Sequence, residues 1–414
     1  MNPGDVDPSD ANQGGSNPDV PNAGGEAAAA WRDFCARMAD VGEHMLGPEF
    51  PGSETDRAEG FRHLANQVAC WLTYQLGSTD ARHPALFTHN NLVYRWGGPN
   101  VDQNARRAPV AADGVYRLSV VMNACEKFIV QVKPGNMHMG VRGVLAEVDS
   151  TALGLGPGDT AEIVLSAERP PGHDGPWIEL APAATLLHVR DYYYDWQPAQ
   201  PAMFALERLD TADRPRIPPT GADIARLLDG AASMVENSIT YWNDWVERTA
   251  TAQPPNTFSV PAFVEGGVQD IVYAFSDVRL GPDEALLVTV APDQSAQWNA
   301  QLQSIGWFES LDFAHRPTSV NQHQAHRNAD GTATLVIAGR DPGTPNWLDT
   351  EGRDRVFCTH RWTGAHEQPL LKTELVDLDR VFEFLPAGTP HISPADRNVE
   401  IRRRAEHVAW RFRA

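Results

Sequence analysis

Apolar residues recur at three- and four-residue intervals from Trp31 through Phe34, Cys35, Met38, Val41 and Met45, and again from Phe61 through Leu64, Val68, Trp71, Leu72 and Leu76. This period predicts two amphipathic helices. Pro48, Pro51 and Gly52 separate them, and Ser53 or Thr55 is placed to cap the second. From about 92 to 189 the texture changes to short apolar stretches divided by turn signals at 97–99, 113–114, 134–135, 154–159 and 170–176. Tyr116, Leu118 and Val120 alternate there with more polar neighbours, the period of a half-buried strand. No helical stretch intervenes, so a sandwich or curved sheet is expected rather than a parallel α/β layer. A helical period returns through Ile224, Leu227, Leu228, Ala231, Val235, Ile239, Trp242 and Val246, with Thr220 and Asp223 as its capping pair. Strands resume at about 271–275, 285–291, 332–337, 355–362 and 370–376.

The expected fold class is therefore α+β, mainly β: antiparallel, jelly-roll-like sandwich regions with an N-terminal helical pair and a long bridging helix. The corresponding division is a disordered tail over 1–26, helices plus a first β-rich region over 27–216, the bridging helix over 217–253, and a C-terminal β-sandwich over 254–414. The tail is rich in Gly, Asn, Pro and Asp and has too little apolar surface to offset its ordering entropy. Turns at 111–114, 280–283 and 328–331 each introduce a strand, a weak internal echo consistent with duplication.

Composition narrows the class of partner. The 414 residues are 42% hydrophobic and 21% charged, enough to build a core. A formal charge of -20 argues against nucleic acid and anionic membranes as partners. No basic segment followed by an apolar run opens the chain, and no stretch approaches the ~20 apolar residues of a membrane span, so a cytoplasmic protein is expected. Cys35, Cys70, Cys125 and Cys358 lack the spacing of a disulfide framework or zinc knuckle and read as small buried hydrophobes. Lysine occurs only at 127, 133 and 372 against abundant arginine, which reads as base composition. The oligomeric state is left open.

The densest mixture of polar and aromatic residues runs from Trp298 to Trp362. So many hydrogen-bonding side chains among large rings suggest a ligand lining, because each buried polar atom needs a partner. The structural alternative assigns Asp341, Asn346 and Asp349 to tight turns and Trp347 and Trp362 to the core. His323 and His326, with His315 and His360, have weak spacing for a metal, and no HExxH motif supports one. Ser319 near His315 lacks a GxSxG elbow. Gly97-Gly98 and 154–158 lack the GxGxxG or GKS/GKT pattern of a nucleotide site, so no cofactor and no metal are expected. Tyr192 to Trp196 reads as packing between the two halves.

Several of these segments resemble the DUF 1214 family, a bacterial domain of unknown function. They are Trp298-Asn299-Ala300-Gln301-Leu302, Ser310 to Arg316, Thr318 to Asn321 with Gln324, and Arg340 to Thr350. Trp96-Gly97-Gly98-Pro99-Asn100 with Asp102 and Asn104, and Gly60-Phe61-Arg62, are similar to the N-terminal region of its longer actinobacterial members. The resemblance covers roughly 55–375. It implies a β-rich, jelly-roll-like sandwich with helical additions and brings no settled activity.

The resulting functional expectation is a protein that binds a small, largely apolar molecule in a pocket of the C-terminal sandwich, with chemical transformation of that molecule as the enzymatic form of the reading. Trp298, Asn299, Ser319, Asn321, Gln324, Asn346, Trp347 and Arg361 would line it. If the protein is an enzyme, His315 would carry a proton and Arg316 would stabilise negative charge at a carbonyl or ester. The alternative is a non-catalytic carbohydrate-binding or scaffold protein.

Overall fold

The computed structural model describes residues 25–211, 213–292, 297–365 and 370–412. The expected tail thus lies outside the described residues, apart from Gly25 and Glu26, which open a helix. That helix, α1 (Gly25–His44), and α2 (Glu54–Gly77) both lie against α3 (Gly221–Ala250). The Ser53 hydroxyl accepts the Asp56 amide at 3.1 Å and caps α2, while Thr220 and Asp223 form a reciprocal capping box at α3. Val41, Leu64, Trp71, Val235 and Ile239 close a common core. The bridging helix is therefore the centre of a three-helix layer, because its apolar face is covered by the predicted pair.

The first β-region comprises β1 (Phe87–Asn90), β2 (Gln103–Pro109), β3 (Tyr116–Val121), β4 (Lys127–Lys133), β5 (Ala146–Asp149), β6 (Thr160–Ser166), β7 (Trp177–Glu179), β8 (Leu186–Tyr192) and β9 (Met203–Arg208). The second comprises β10 (Ala262–Phe263), β11 (Ile271–Arg279), β12 (Glu284–Val290), β13 (Gln297–Gln303), β14 (Ser319–Asn321), β15 (Ala333–Ala338), β16 (Trp347–Asp349), β17 (Arg355–Thr363) and β18 (Leu371–Asp377). A last helix, α4 (Pro394–Phe412), follows. The sheets run β1-β2-β8-β4-β5 and β7-β6-β3-β9 in the first half, and β10-β11-β17-β13-β14 and β16-β15-β12-β18 in the second. The architecture is α+β and mainly β, as two sandwiches. No described helix is long and apolar enough to cross a membrane.

Strand for strand, the second order repeats the first. Even the single parallel pair recurs, β6 with β7 and β15 with β16. In register, Tyr192 pairs with Gln103 and Lys127, and Thr363 pairs with Ile271 and Gln297. The duplication hinted at by the turns is thus present in the fold. The turn at 280–283 before β12 corresponds to 111–114 before β3, whereas 328–331 precedes β15 and corresponds to 156–159 before β6.

Side-chain alternation sorts each central sheet into two faces. Phe128, Val130, Val132, Leu187 and Val189 fill the first sandwich, leaving Gln131, Lys133, His188 and Arg190 on the opposite face. Trp298, Ala300, Leu302, Cys358 and Trp362 fill the second, leaving Asn299, Gln301, Thr359 and Arg361 outside it. Both outer faces are nevertheless buried, because the sandwiches pack across them. Ile129, Tyr192 and Tyr194 form one apolar cluster with Val268 and Ile271.

Helix α4 fastens this contact and was not anticipated within the expected 254–414 sandwich. Its buried stripe consists of Arg397, Arg404, His407, Val408 and Arg411, so its helical period is carried mainly by arginines and a histidine rather than by apolar residues. Arg411 donates to the Val101 carbonyl at 2.7 Å and Arg404 to the Ser319 hydroxyl at 2.7 Å, touching both halves.

Gly98 tests the seam most sharply. It has φ +56° and an added Cβ would stand 2.1 Å from the Phe308 ring. Gly98→Ala is expected to destabilise the protein by about 2 kcal/mol or more, through left-handed strain and overpacking together, as read by chemical denaturation. An effect within about 0.5 kcal/mol would show that the two halves do not meet there.

Candidate functional site

A partly open cavity of about 180 Å³ lies between the outer faces of the two sandwiches. Strands β2, β4 and β8 supply Arg107, Lys133, His188, Arg190 and Tyr192 from one side; β11 and β17 supply Tyr273, Phe275 and Arg361 from the other. Trp242 and Trp245 of α3 and the ring of Trp96 complete an aromatic wall.

Two loops cross the seam in opposite senses. Before β2, the loop through Gly98 and Pro99 reaches the second sandwich, where Gln301 Nε2 donates to the Pro99 carbonyl at 2.9 Å and Arg361 to Gly98 at 2.8 Å. Before β11, the loop through Gly266 and Gly267 reaches the first, where Gln131 Nε2 donates to the Gly267 carbonyl at 2.9 Å and Lys133 to Gly266 at 2.7 Å. Gln131 and Gln301 occupy equivalent positions on β4 and β13. Each glutamine also accepts from the arginine on the neighbouring strand, Arg190 at 2.5 Å and Arg361 at 3.3 Å.

Charge is distributed unevenly around this space. Arg107, Lys133, Arg190 and Arg361 all line it, and among the described residues no Asp or Glu does. None of the four has a carboxylate within 4.0 Å among the described residues, although many other arginines do. Arg107 lies 5.1, 5.6 and 5.4 Å from the rings of Trp71, Tyr74 and Trp96, and donates to Asn136 at 2.7 Å. Arg361 lies 5.7 Å from the Tyr273 ring. Glu147 spends its carboxylate on Gln131 Nε2 and the Gln269 amide. Burying an unpaired ion costs on the order of several kcal/mol, and hydrogen bonds to neutral oxygens and ring faces offset only part of it.

The electrostatic consequences are consistent. Burial, then the positive charges of Arg190 and Arg107, brings the Lys133 ammonium down to about 7. Burial lowers Arg107 and Arg361 from the usual arginine range. His89 and His188, with rings 4.7 Å apart, are held well below the ordinary histidine value by burial and the surrounding cations, so both are neutral. Among the described residues, His89 Nδ1, His188 Nε2, Arg107 Nε, Trp242 Nε1 and the Tyr192 hydroxyl are buried without a hydrogen-bond partner, and all belong to residues lining this cavity. Several polar atoms that face this space are thus open to a further hydrogen-bond partner.

Of the ligand-lining and catalytic residues expected from sequence, Arg361 lines this cavity and the others do not. The polar cluster does converge, but on protein atoms. Buried Asp102 accepts Asn299 at 2.7 Å, Asn321 at 2.9 Å and the Trp196 indole at 2.9 Å. Trp298 is a core ring stacked on His360 at 5.4 Å. Trp347 donates to the Ala338 carbonyl at 3.0 Å, and Trp177, at the equivalent start of β7, donates to Ser166 at 3.0 Å; this is a repeated strand-edge device. Asn346 holds a turn at φ +53° and bonds both backbone groups of His326. Ser319 is taken by Arg404, and Gln324 accepts the Asn321 amide. Ser319, Gln324, Asn346 and Trp347 border an open groove beside α4, a different place.

The expected catalytic pair is also separated from the cavity. His315 is exposed and faces Asp312 at 3.1 Å, while Arg316, half exposed, is bound to Asp349 at 2.7 Å. The candidate cavity thus lies between the sandwiches, apart from the expected pair. Tyr192, Tyr193, Tyr194 and Trp196 are buried, as the packing reading of that run requires, and they present no apolar patch.

The neutral buried histidines set an acid limit. His138, His360 and His407 are brought down to about 3, chiefly by burial. Each has a folded value below its unfolded one, so the unfolded chain binds more protons once pH falls below about 6.5. Stability should then decline by about 1.4 kcal/mol per pH unit per histidine. Thermal melts from pH 7 to 5 are expected to fall steeply, and more gently in His138→Gln. A midpoint flat across that window would contradict the burial assigned to these rings.

No protein-family model matches the chain, and no curated protein does. Among solved structures, an uncharacterized protein from Burkholderia cenocepacia is similar at 30% identity with a TM-score of 0.78, covering 85% of this chain and 98% of that one. The VPA0106 protein from Vibrio parahaemolyticus is far less similar, at 12% identity and a TM-score of 0.44 over 76% of this chain and 98% of that one. With nearly all of the Burkholderia protein matched at that identity, this chain belongs to the same family as that protein.

Proposed function

We propose that the protein binds a small organic anion, a carboxylate on an aromatic or otherwise apolar body, in the cavity between its two sandwiches. The observation that carries this reading is the lining itself: four cations, no carboxylate, and tryptophan and tyrosine rings beside them. A ligand carboxylate supplies the charge partner that the protein withholds, through bidentate or charge-assisted hydrogen bonds to Arg190 and Arg361. The rings of Tyr273, Phe275, Trp242 and Trp245 then take the apolar part. The small, largely apolar ligand expected from sequence is retained, with an anionic group added and its place moved.

Four unbonded cysteines support a reducing, cytoplasmic setting for this binding. Kinship with the DUF 1214 family belongs to the same proposal. The Trp96 to Asn104 segment that carries part of that resemblance also supplies one wall of the cavity. A surface carbohydrate platform is not favoured, since of the tryptophans only Trp31 and Trp410 are exposed, at opposite ends of the chain.

Benzoate is the simplest probe. At a hundredfold excess over its Kd it should stabilise the protein by about 2.7 kcal/mol, seen as a higher melting temperature. Benzyl alcohol, which keeps the ring and lacks the charge, should have little effect, and Arg190→Gln should weaken the benzoate response at least tenfold in apparent Kd. Equal responses to benzoate and benzyl alcohol would overturn the anion reading.

A further inference from the structure

We propose that Lys133 acts as an amine nucleophile, condensing with the ketone of a small 2-oxo acid held in this cavity. The inference rests on the anion-binding reading of the same site and adds a substrate class and a covalent step to it.

Geometry comes first. Lys133 projects from the outer face of β4 into the cavity, is 6% exposed, and has the Gly266 carbonyl as its hydrogen-bond partner, with no carboxylate in reach. The cations and neutral imidazoles around it are Arg107 from β2, His188 and Arg190 from β8, and His89 from β1, and the one opposing charge acting on it is that of Glu147. Glu147 of β5 is held by Gln131 and Gln269. A structural lysine is ordinarily placed beside a carboxylate, as Lys127 is beside Asp149 at 2.9 Å. Lys133 is placed where its protonated form is disfavoured, the circumstance that turns a lysine into a nucleophile.

The ligand class follows from what stands next to the amine. Arg190 lines the same cavity and lies close enough to act on the Lys133 charge, so a carboxylate held by Arg190 brings an adjacent carbonyl within the amine's surroundings. A 180 Å³ space suits a short chain or one ring. In the step, the free amine nitrogen forms a bond to the ketone carbon and the carbonyl π pair moves onto oxygen. The two amine protons pass to that oxygen, the C–O bond breaks, and water leaves behind a carbon–nitrogen double bond. No oxidant or reductant is required. The lowered ammonium value of about 7 adds support, since roughly a thousandfold more free amine is present at neutral pH than on an ordinary lysine.

Reductive trapping tests this. The full chain is incubated at pH 7 with pyruvate and sodium cyanoborohydride, then digested and mapped by mass spectrometry. One reduced adduct per chain is expected on Lys133, forming at least about tenfold faster than on Lys127 or Lys372 and slowed by benzoate. Lys133→Arg, which keeps the charge, and Lys133→Met should both lose it while benzoate still raises the melting temperature of the Arg variant. Labelling spread evenly over the three lysines, or absent from Lys133 while benzoate binds, overturns the amine role and leaves anion binding standing. Failure of the wild-type protein to respond to benzoate would instead remove the reading beneath both.

Discussion

Two equivalent glutamines, Gln131 and Gln301, each hand an amide proton to a loop carbonyl of the opposite sandwich. Much of the molecule follows from this exchange. A sheet face carrying Gln, Lys, His and Arg would normally meet water. Here each face meets its own structural duplicate, and the glutamines satisfy the backbone of the loops that arrive from across the seam. Because the glutamine oxygens also accept from Arg190 and Arg361, both arginines are oriented by neutral partners. Among the described residues neither has a carboxylate within 4.0 Å, and the low-dielectric surroundings make their charge effective toward an entering anion.

The duplicated halves are not equivalent in what they contribute. The first sandwich brings Arg107, Lys133, His188 and Arg190, whereas the second brings Arg361 with Tyr273 and Phe275. Duplication of a sandwich produces the seam, and divergence of its two faces makes one side charged and the other aromatic. Helix α4 and the Asp102 hub then lock the arrangement with buried hydrogen bonds that reach from one half to the other. That rigidity favours a preorganised site over one formed by closure.

The fold was largely legible in the chain. The capping residues Ser53 and Thr220 with Asp223, the three helical periods and the strands around Tyr116, Ile271, Ala285 and Arg355 stand where local pattern places them. Helix α4 was hidden because its buried stripe is made of arginine and histidine. The site was mostly illegible for a related reason. The spacings Gln131-Val132-Lys133 and His188-Val189-Arg190 read as ordinary half-exposed strands, and only the packing of a second sandwich buries them. Density of polar and aromatic residues drew attention to 298–362, but Asn299 and Asn321 are polar because Asp102 of the other half requires donors. Of the site residues expected in that stretch, Arg361 is the one that turns into the cavity. The scarcity of lysine was a usable signal: one of three stands at the site.

The central claim is that the seam holds cations without counter-charges. It is tested most directly by following the ε-methylene resonance of Lys133 through a pH titration by NMR, with Lys133→Arg supplying the assignment. The account predicts a midpoint near 7 in the free protein and a rise when a small carboxylate is added, because the anion supplies the missing charge. A midpoint near the ordinary lysine value of about 10.4, unmoved by carboxylate, would contradict it.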